Sequence, residues 1–361
     1  MLKVNGNIPN LVPYEPGKTI EEIKREYGLT DIIKLASNEN SFGASPKAVE
    51  AIKNIADKAY LYADGSCFQL REKIAEKLGL KVNNITVGNG SNEIIELMFR
   101  AFIDRGDNII SCFPTFSFYK ICAQTTFGDF IEVPLANYTF SLDSILKKIN
   151  ANTKVVIICN PNNPTGTMVP YDKLENFISN LSDNILVVID EAYIEFADTA
   201  QEDTVELIKK FPNKNILILR TFSKIFGLSM LRIGYGISKI EIADILNKVR
   251  QPFNVNGVAQ AAAIAALEDD EFIRATLKGV AQGKNFLYNE FEKLGIFYIK
   301  SKTNFIFFSL NYDNNTVFKK FLENGIIIRS LKSFGYDTEL RVTVGTPEQN
   351  EKFINALKNI L

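Results

Sequence analysis

Histidine is missing from all 361 residues, and that absence removes more chemistry than any other compositional fact. A Ser-His-Asp triad, a Cys-His pair, a HExxH zinc site and an imidazole general base are all impossible in this polypeptide. Any proton shuttle must be Lys, Tyr, Cys or a carboxylate. Cysteine is scarce. Cys67, Cys112, Cys122 and Cys159 are widely spaced and form no CxxC pair, which suits isolated reduced thiols rather than a disulfide framework or a zinc site. No metal is expected. An excess of one charge is lacking too, because 41 basic and 42 acidic residues leave a net charge of −1. Nothing in bulk draws the chain to nucleic acid or anionic membrane, so an anion must be held by local groups. No apolar run approaches the roughly 18 residues of a membrane span, and the opening MLKVNGNIPNLVPYEPG is broken by Asn, Gly and Pro before one can develop. We expect a cytoplasmic protein. Repeats, low-complexity tracts and Gly/Ser linkers are absent as well, which favours domains that share segments over beads on a tether.

What is present is a core-forming composition, 46% hydrophobic and 23% charged, in a chain long enough for a large domain and a smaller one. Short β-branched or apolar runs recur at NITVG (84 to 88), NIISCF (108 to 113), KVVIICN (154 to 160), NILVVID (184 to 190), NILILR (215 to 220) and RIGYGI (232 to 237). Amphipathic stretches such as SNEIIELMFRAFI (91 to 103) and YDKLENFISNL (171 to 181) separate most of them. That alternation predicts an α/β unit with a mostly parallel sheet covered by helices. After about residue 255 the pattern changes to one long alanine-rich helix, GVAQAAAIAALEDDEFIRATLKGVAQGKNFLYNEFEKL, then to strand-like IFYIK, NFIFFSL, GIIIRS and LRVTV with helices between. A smaller α+β domain built from both chain ends is the expectation, with 1–48 as an N-terminal arm and part of it, 49–255 as the large domain, and 256–361 as connecting helix and small C-terminal domain. The cleft between the two is the default site.

Four segments carry chemistry. NILVVIDEAY delivers Asp190 at the carboxyl end of a buried strand, with Tyr193 three residues on, where open α/β sheets bind ligands. An Asp in an apolar surround is poised to pair with a protonated ring nitrogen. A strand ending in DE also looks like the metal-binding segment of a nucleotide enzyme, but no GxxxxGK[ST] phosphate loop accompanies it. The second segment, NILILRTFSKIFGLSMLRIGYG, places Thr221, Ser223 and Lys224 in a turn and Arg232 eight residues beyond the lysine. Hydroxyls and a guanidinium suit phosphate, and nearby cationic charge favours the neutral amine that forms an imine. Third, TVGNGSNEIIE runs through Gly88 and Gly90 into a helix starting near Ser91, an anion cradle if it is more than an ordinary helix start. Fourth, CNPNNPTG is a strand-end loop stiffened by Pro161 and Pro164 that presents Asn162 and Asn163.

In this order and spacing, NNPTG, DEAY, TFSK and LRIGYG resemble the fold-type I pyridoxal-phosphate aminotransferases, over roughly residues 30 to 347. LASNENSFGASP, YLYADGSCFQLR, RTFSKIFGLSMLRIGYG and LRVTVGTPEQN are most similar to the histidinol-phosphate aminotransferase family. That resemblance implies a seven-stranded large domain and pyridoxal 5'-phosphate as cofactor. It makes Lys224 the Schiff-base lysine and proton-transfer base, sets Asp190 on the pyridine nitrogen, and brings Tyr193 and Asn163 to the ring's 3-oxygen. The phosphate cradle would be Gly90, Ser91 and Asn92 with Ser223, Arg232 and Thr221. Tyr62 would reach that phosphate from the other subunit of a homodimer. Phe116, in PTFSFY, stands where the family stacks a tyrosine on the ring. Arg341 corresponds to the family's C-terminal arginine, Arg329 to a second one suited to a phosphorylated substrate, and Tyr14 and Asn38 complete the substrate pocket.

The activity so implied is amino transfer between L-histidinol phosphate and 2-oxoglutarate, giving imidazole acetol phosphate and L-glutamate in histidine biosynthesis. Aromatic-amino-acid transamination and phosphothreonine decarboxylation share these motifs. A regulator with an aminotransferase-like sensor would need an appended DNA-binding helix-turn-helix, for which the 30 or so residues before the resemblance leave no room.

Overall fold

The computed structural model describes residues 8–13, 17–197 and 203–361. A seven-stranded sheet forms its centre, in the order Ile85–Gly88, Gly234–Ser238, Asn215–Thr221, Leu186–Asp190, Thr153–Cys159, Asn108–Phe113 and Asp129–Pro134. The strands pair in parallel from Asn215–Thr221 to Asp129–Pro134, while Gly234–Ser238 runs antiparallel to both of its neighbours. Six strands therefore point one way. Their carboxyl ends lie along one edge, and the amino end of the reversed strand, just after Arg232, joins them there. Val155–Ile158 and Leu217–Leu219 are fully buried, as continuous apolar runs require when helices cover both faces.

The expected strands are present within one or two residues, except that GIIIRS divides into Ile326–Ile327 and Arg329–Ser330, which join two different sheets. Asp129–Pro134 was not among them, because it is an outer strand of largely exposed and half-buried residues with no unbroken apolar run. A further departure is the alanine-rich segment, which is two helices, Gly257–Leu267 and Asp270–Lys293. Asp269 divides them. Its carboxylate accepts from the Phe272 amide and from Ser45 Oγ at 2.6 Å, so an aspartate that reads as part of a charged helical surface acts as an N-cap. No helix among the described residues is long and apolar enough to cross a membrane. All four cysteines are buried and unpaired.

A four-stranded antiparallel sheet, Arg329–Ser330, Glu339–Thr343, Phe305–Ser309 and Phe297–Tyr298, lies beyond the long helices. Its register sets Arg329 directly opposite Arg341. The N-terminal segment connects this sheet to the large one. Ile33–Lys34 pairs in parallel with Ile326–Ile327, Thr343 donates its amide to the Leu35 carbonyl at 2.8 Å, and residues 36–45 then cross to the turn that carries Lys224. Gly227 closes that turn through a bond from its amide to the Lys224 carbonyl, 3.1 Å. Its φ is +70°, and a Cβ there would press on the backbone of Gly43 and Ala44.

Two glycine substitutions separate backbone conformation from contact. Gly79 also has positive φ, +62°, yet a Cβ there meets open space. Gly79→Ala should cost about 1 kcal/mol, the penalty of a left-handed residue. Gly227→Ala should cost clearly more, because the N-terminal crossing must shift as well. Urea unfolding of both variants checks this, and equal losses would show that the Gly43 crossing yields freely.

Candidate active site

The parallel edge gathers most of the residues that the sequence motifs point to. One cavity of 150 Å³ is lined by Ser91 and Asn92, by Asp190 and Tyr193, and by Thr221, Ser223, Lys224 and Arg232. A second chamber of 110 Å³ adjoins it and takes in Asn38, Arg329 and Arg341. Phe116, Asn163, Tyr193 and Lys224 line both. Gly90 is the N-cap of the helix Ser91–Phe102 at φ +80°, where no side chain caps the first amides. A Cβ on Gly90 would come within 2.7 Å of Arg232 Nη2, so only glycine lets this guanidinium lie against the helix start. Arg232 is itself held at φ +54°, a conformation that costs a branched or long residue about 1 kcal/mol or more. It donates to Ser229 O at 3.1 Å and Ser223 Oγ at 3.4 Å, although the residue as a whole is exposed. Together, uncapped amides, two hydroxyls and a guanidinium make an anion cradle at one end of the cavity.

At the deep end lies Asp190, 3% exposed. Burial pushes its pKa up, while the Tyr119 hydroxyl and the Ala192 amide hold it down. Tyr193 is buried, and its phenol accepts from Asn38 Nδ2 at 2.9 Å. Burial drives the Tyr193 pKa up to about 12, against Arg341 and the Asn38 bond. Lys224 stands between the chambers, its amine donating to the Ser37 carbonyl at 3.3 Å. Its pKa is pushed down to about 7, first by burial and then by the positive charge of Arg341. A lysine so placed is a neutral amine near neutrality and a competent nucleophile and base.

The substrate-side arginines have different supports. Arg341 is 5% exposed and donates to Asn163 Oδ1 and, at 2.8 Å, to the Ala36 carbonyl. Arg329 is half-buried beside it. Like charges directly opposite on paired strands are destabilising, so this register suits an anion between them. The two asparagines of NNPTG divide their tasks. Asn162 accepts from Thr115 Oγ1 at 2.8 Å and donates to Thr165 and Pro114, clamping the loop, whereas Asn163 faces both chambers.

One predicted residue is not brought into this site within the chain, and another cannot be placed because it is not among the described residues. Tyr62 is 84% exposed, stacked on Phe253 at 4.7 Å, and lines neither chamber. Tyr14 lies outside the described residues. Sequence reasoning in turn missed several groups: the carbonyls of Ala36 and Ser37, which leave no mark in a side-chain pattern, Phe334 in the second chamber, and Tyr119. The last sits three residues beyond Phe116, in the first turn of the helix Phe118–Thr125. Behind the Asp190 strand, Arg220 is sandwiched between Glu191 at 2.8 Å and Asp203 at 2.6 Å.

The family model for class I and II aminotransferases matches residues 30–357. A histidinol-phosphate aminotransferase of Caldicellulosiruptor saccharolyticus is 47% identical over 98% of this chain and 99% of its own length. Another, of Moorella thermoacetica, is 45% identical over 98% of this chain and 92% of its own. The chain belongs to the histidinol-phosphate aminotransferase family. The fold agrees, since the crystal structure of the Sinorhizobium meliloti histidinol-phosphate aminotransferase with pyridoxal 5'-phosphate superposes with a TM-score of 0.91, covering 100% of this chain and 98% of that one at 24% identity.

The Lys224 environment can be tested without any ligand. Competitive acylation followed by mass spectrometry should give half-maximal labelling of Lys224 near pH 7, against about 10.4 for an ordinary lysine. Protonation blocks the amine below that midpoint, so labelling rises with pH. Removing the Arg341 charge by Arg341→Gln should move the midpoint upward, and an unmoved midpoint would leave burial and the charges of Arg232 and Lys34 as the cause.

Proposed function

We propose that this chain transfers an amino group between L-histidinol phosphate and 2-oxoglutarate, yielding imidazole acetol phosphate and L-glutamate, with pyridoxal 5'-phosphate as cofactor. The reading rests on one observation above the others. A depressed lysine faces two chambers, one with an anion cradle and a buried carboxylate, the other with paired arginines. The donor set fits the cofactor, because the space a Cβ on Gly90 would fill is the floor of the cradle and Asp190 supplies a buried acceptor for a pyridinium. When bound, pyridoxal phosphate supplies an electron sink that makes the α-proton of an amine removable.

In this reading the chain's residues divide the work. Ser91, Asn92, Thr221, Ser223 and Arg232 bind the phosphate, and Gly90 lets them approach. Lys224 would hold the cofactor through its neutral amine and, once the substrate's amine has displaced it there, its freed amine would be the base that takes the proton from the substrate's amine-bearing carbon. Asp190 holds the ring nitrogen protonated, Phe116 covers one ring face, and Tyr193 and Asn163 donate toward the ring oxygen. Arg341 and Arg329 take the anionic end of either substrate, since a planar guanidinium binds phosphate and carboxylate alike. Full-length relatives at 41% to 47% identity carry the histidinol-phosphate name, which disfavours the aromatic and phosphothreonine alternatives.

A cytoplasmic homodimer completes the proposal, as do the boundaries at residues 48 and 255. The exposed Tyr62, beside exposed Leu61, Phe68 and Phe253, supports a role across a subunit boundary. Mixing inactive Tyr62→Ala with inactive Lys224→Ala should then restore partial turnover, because some heterodimers hold one intact site. No recovery after verified exchange would locate the whole site within one chain.

The arginines separate the two half-reactions. Arg341→Ala should impair both. Arg329→Ala should fall harder on histidinol phosphate, by about ten- to two-hundredfold for a lost charge-assisted bond. Single-turnover kcat/KM for each substrate is the measurement, and equal losses would deny Arg329 any phosphate preference.

A further inference from the structure

Asp190 has to be an anion to hold a protonated ring nitrogen, yet its surroundings oppose that charge. The side chain is 3% exposed and burial drives its pKa upward. The groups that hold it ionised are the Ala192 amide on Oδ1 at 3.2 Å and the Tyr119 hydroxyl on Oδ2 at 2.5 Å. The second distance is that of a charge-assisted O–H···O⁻ bond, about twice as strong as a neutral one. Arg220, the cation behind this strand, is engaged by Glu191 and Asp203 instead.

Tyr119 can serve only as donor in this pair. It is fully buried, and burial together with the Asp190 charge raises its pKa well above the ordinary phenol value. Cys159, which borders the same cavity, stays a neutral thiol because burial lifts its pKa to about 12. The negative charge therefore resides on Asp190. The same tyrosine ring meets Phe116 edge-on, with centroids 5.5 Å apart and planes at 87°. One residue thus touches both the carboxylate under the ring nitrogen and the aromatic surface over the ring.

We propose that Tyr119 is a positioning residue of the cofactor site, whose hydroxyl keeps Asp190 ionised and aimed at the ring nitrogen while its ring edge fixes Phe116. The inference rests on the reading that Asp190 faces that nitrogen. The proton in question lies between ring nitrogen and carboxylate. With the hydroxyl bond in place it stays on nitrogen. Without that bond the carboxylate becomes the better base and the proton moves to it, weakening the electron sink.

The test reads that proton directly. Holoenzyme is loaded with pyridoxal phosphate labelled with ¹⁵N in the ring, and the nitrogen chemical shift is measured at one pH for wild type, Tyr119→Phe and Asp190→Asn. Wild type should give the protonated shift, and both variants should move toward the unprotonated one. Turnover of Tyr119→Phe should fall about ten- to hundredfold, the range for one bond to a charged group. Site-specific Tyr119→3-fluorotyrosine, nearly isosteric and a stronger donor, should lower the pH at which the ring nitrogen loses its proton, because it makes the nitrogen–carboxylate pair a weaker base. That measurement stands even where the phenylalanine variant fails to fold. A shift that moves in Asp190→Asn but not on altering Tyr119 overturns this proposal alone. A shift unmoved in all variants overturns the Asp190 reading and this proposal together.

Discussion

A lysine proposed to act as a neutral amine shares its cavity walls with the buried carboxyl of Asp190 and the buried cation Arg341, and the placement of those charges governs the site. Asp190 ends a strand of the large sheet, Arg341 lies on a strand of the small one, and Lys224 sits in a turn between them. Burial alone would depress the lysine, but it would equally neutralise Asp190, which its proposed role requires to be charged. The two are resolved separately. Asp190 is given hydrogen-bond donors without a cation, whereas Lys224 is given the Arg341 cation within its electrostatic reach. Opposite pKa demands on neighbouring groups are met by different partners.

This separation needs the two sheets in a fixed relation, and the N-terminal segment supplies it. Within three residues, Ala36 accepts from Arg341, Ser37 from Lys224, and Asn38 donates to Tyr193. Asn38 does so at φ +54°, a left-handed conformation that asparagine tolerates better than most residues. Arg232 and Gly90 likewise have positive φ. Among the described residues, two of the eight non-glycine residues with positive φ, Asn38 and Arg232, line the two chambers.

Much of this was legible in the sequence because its signals are local. A buried parallel strand reads as an apolar run, and the residues just past its carboxyl end read as site, so Asp190, Asn163, Lys224 and Ser91 could be chosen before any fold was known. The break at Asp269 was obscured because the cap is reinforced by Ser45, 224 residues away. The outer strand Asp129–Pro134 lacks the apolar run that betrays its inner neighbours. The roles of the Ala36 and Ser37 carbonyls belong to backbone atoms, and no side-chain pattern encodes them.

The arginine pair shows how register can carry function that spacing alone does not. Arg329 and Arg341 are twelve positions apart, and each alone could be a solvated strand residue. Antiparallel pairing makes them direct neighbours, an arrangement that is unfavourable unless negative charge lies between or beside them. Asn163 and the Ala36 carbonyl absorb part of the Arg341 donor capacity and fix the plane of its guanidinium. Arg329, half-buried on the paired strand, places a second guanidinium beside it. Two adjacent guanidiniums can grip a carboxylate and a phosphate ester in turn, since planar bidentate donors match both, as the proposed pair of unlike substrates requires.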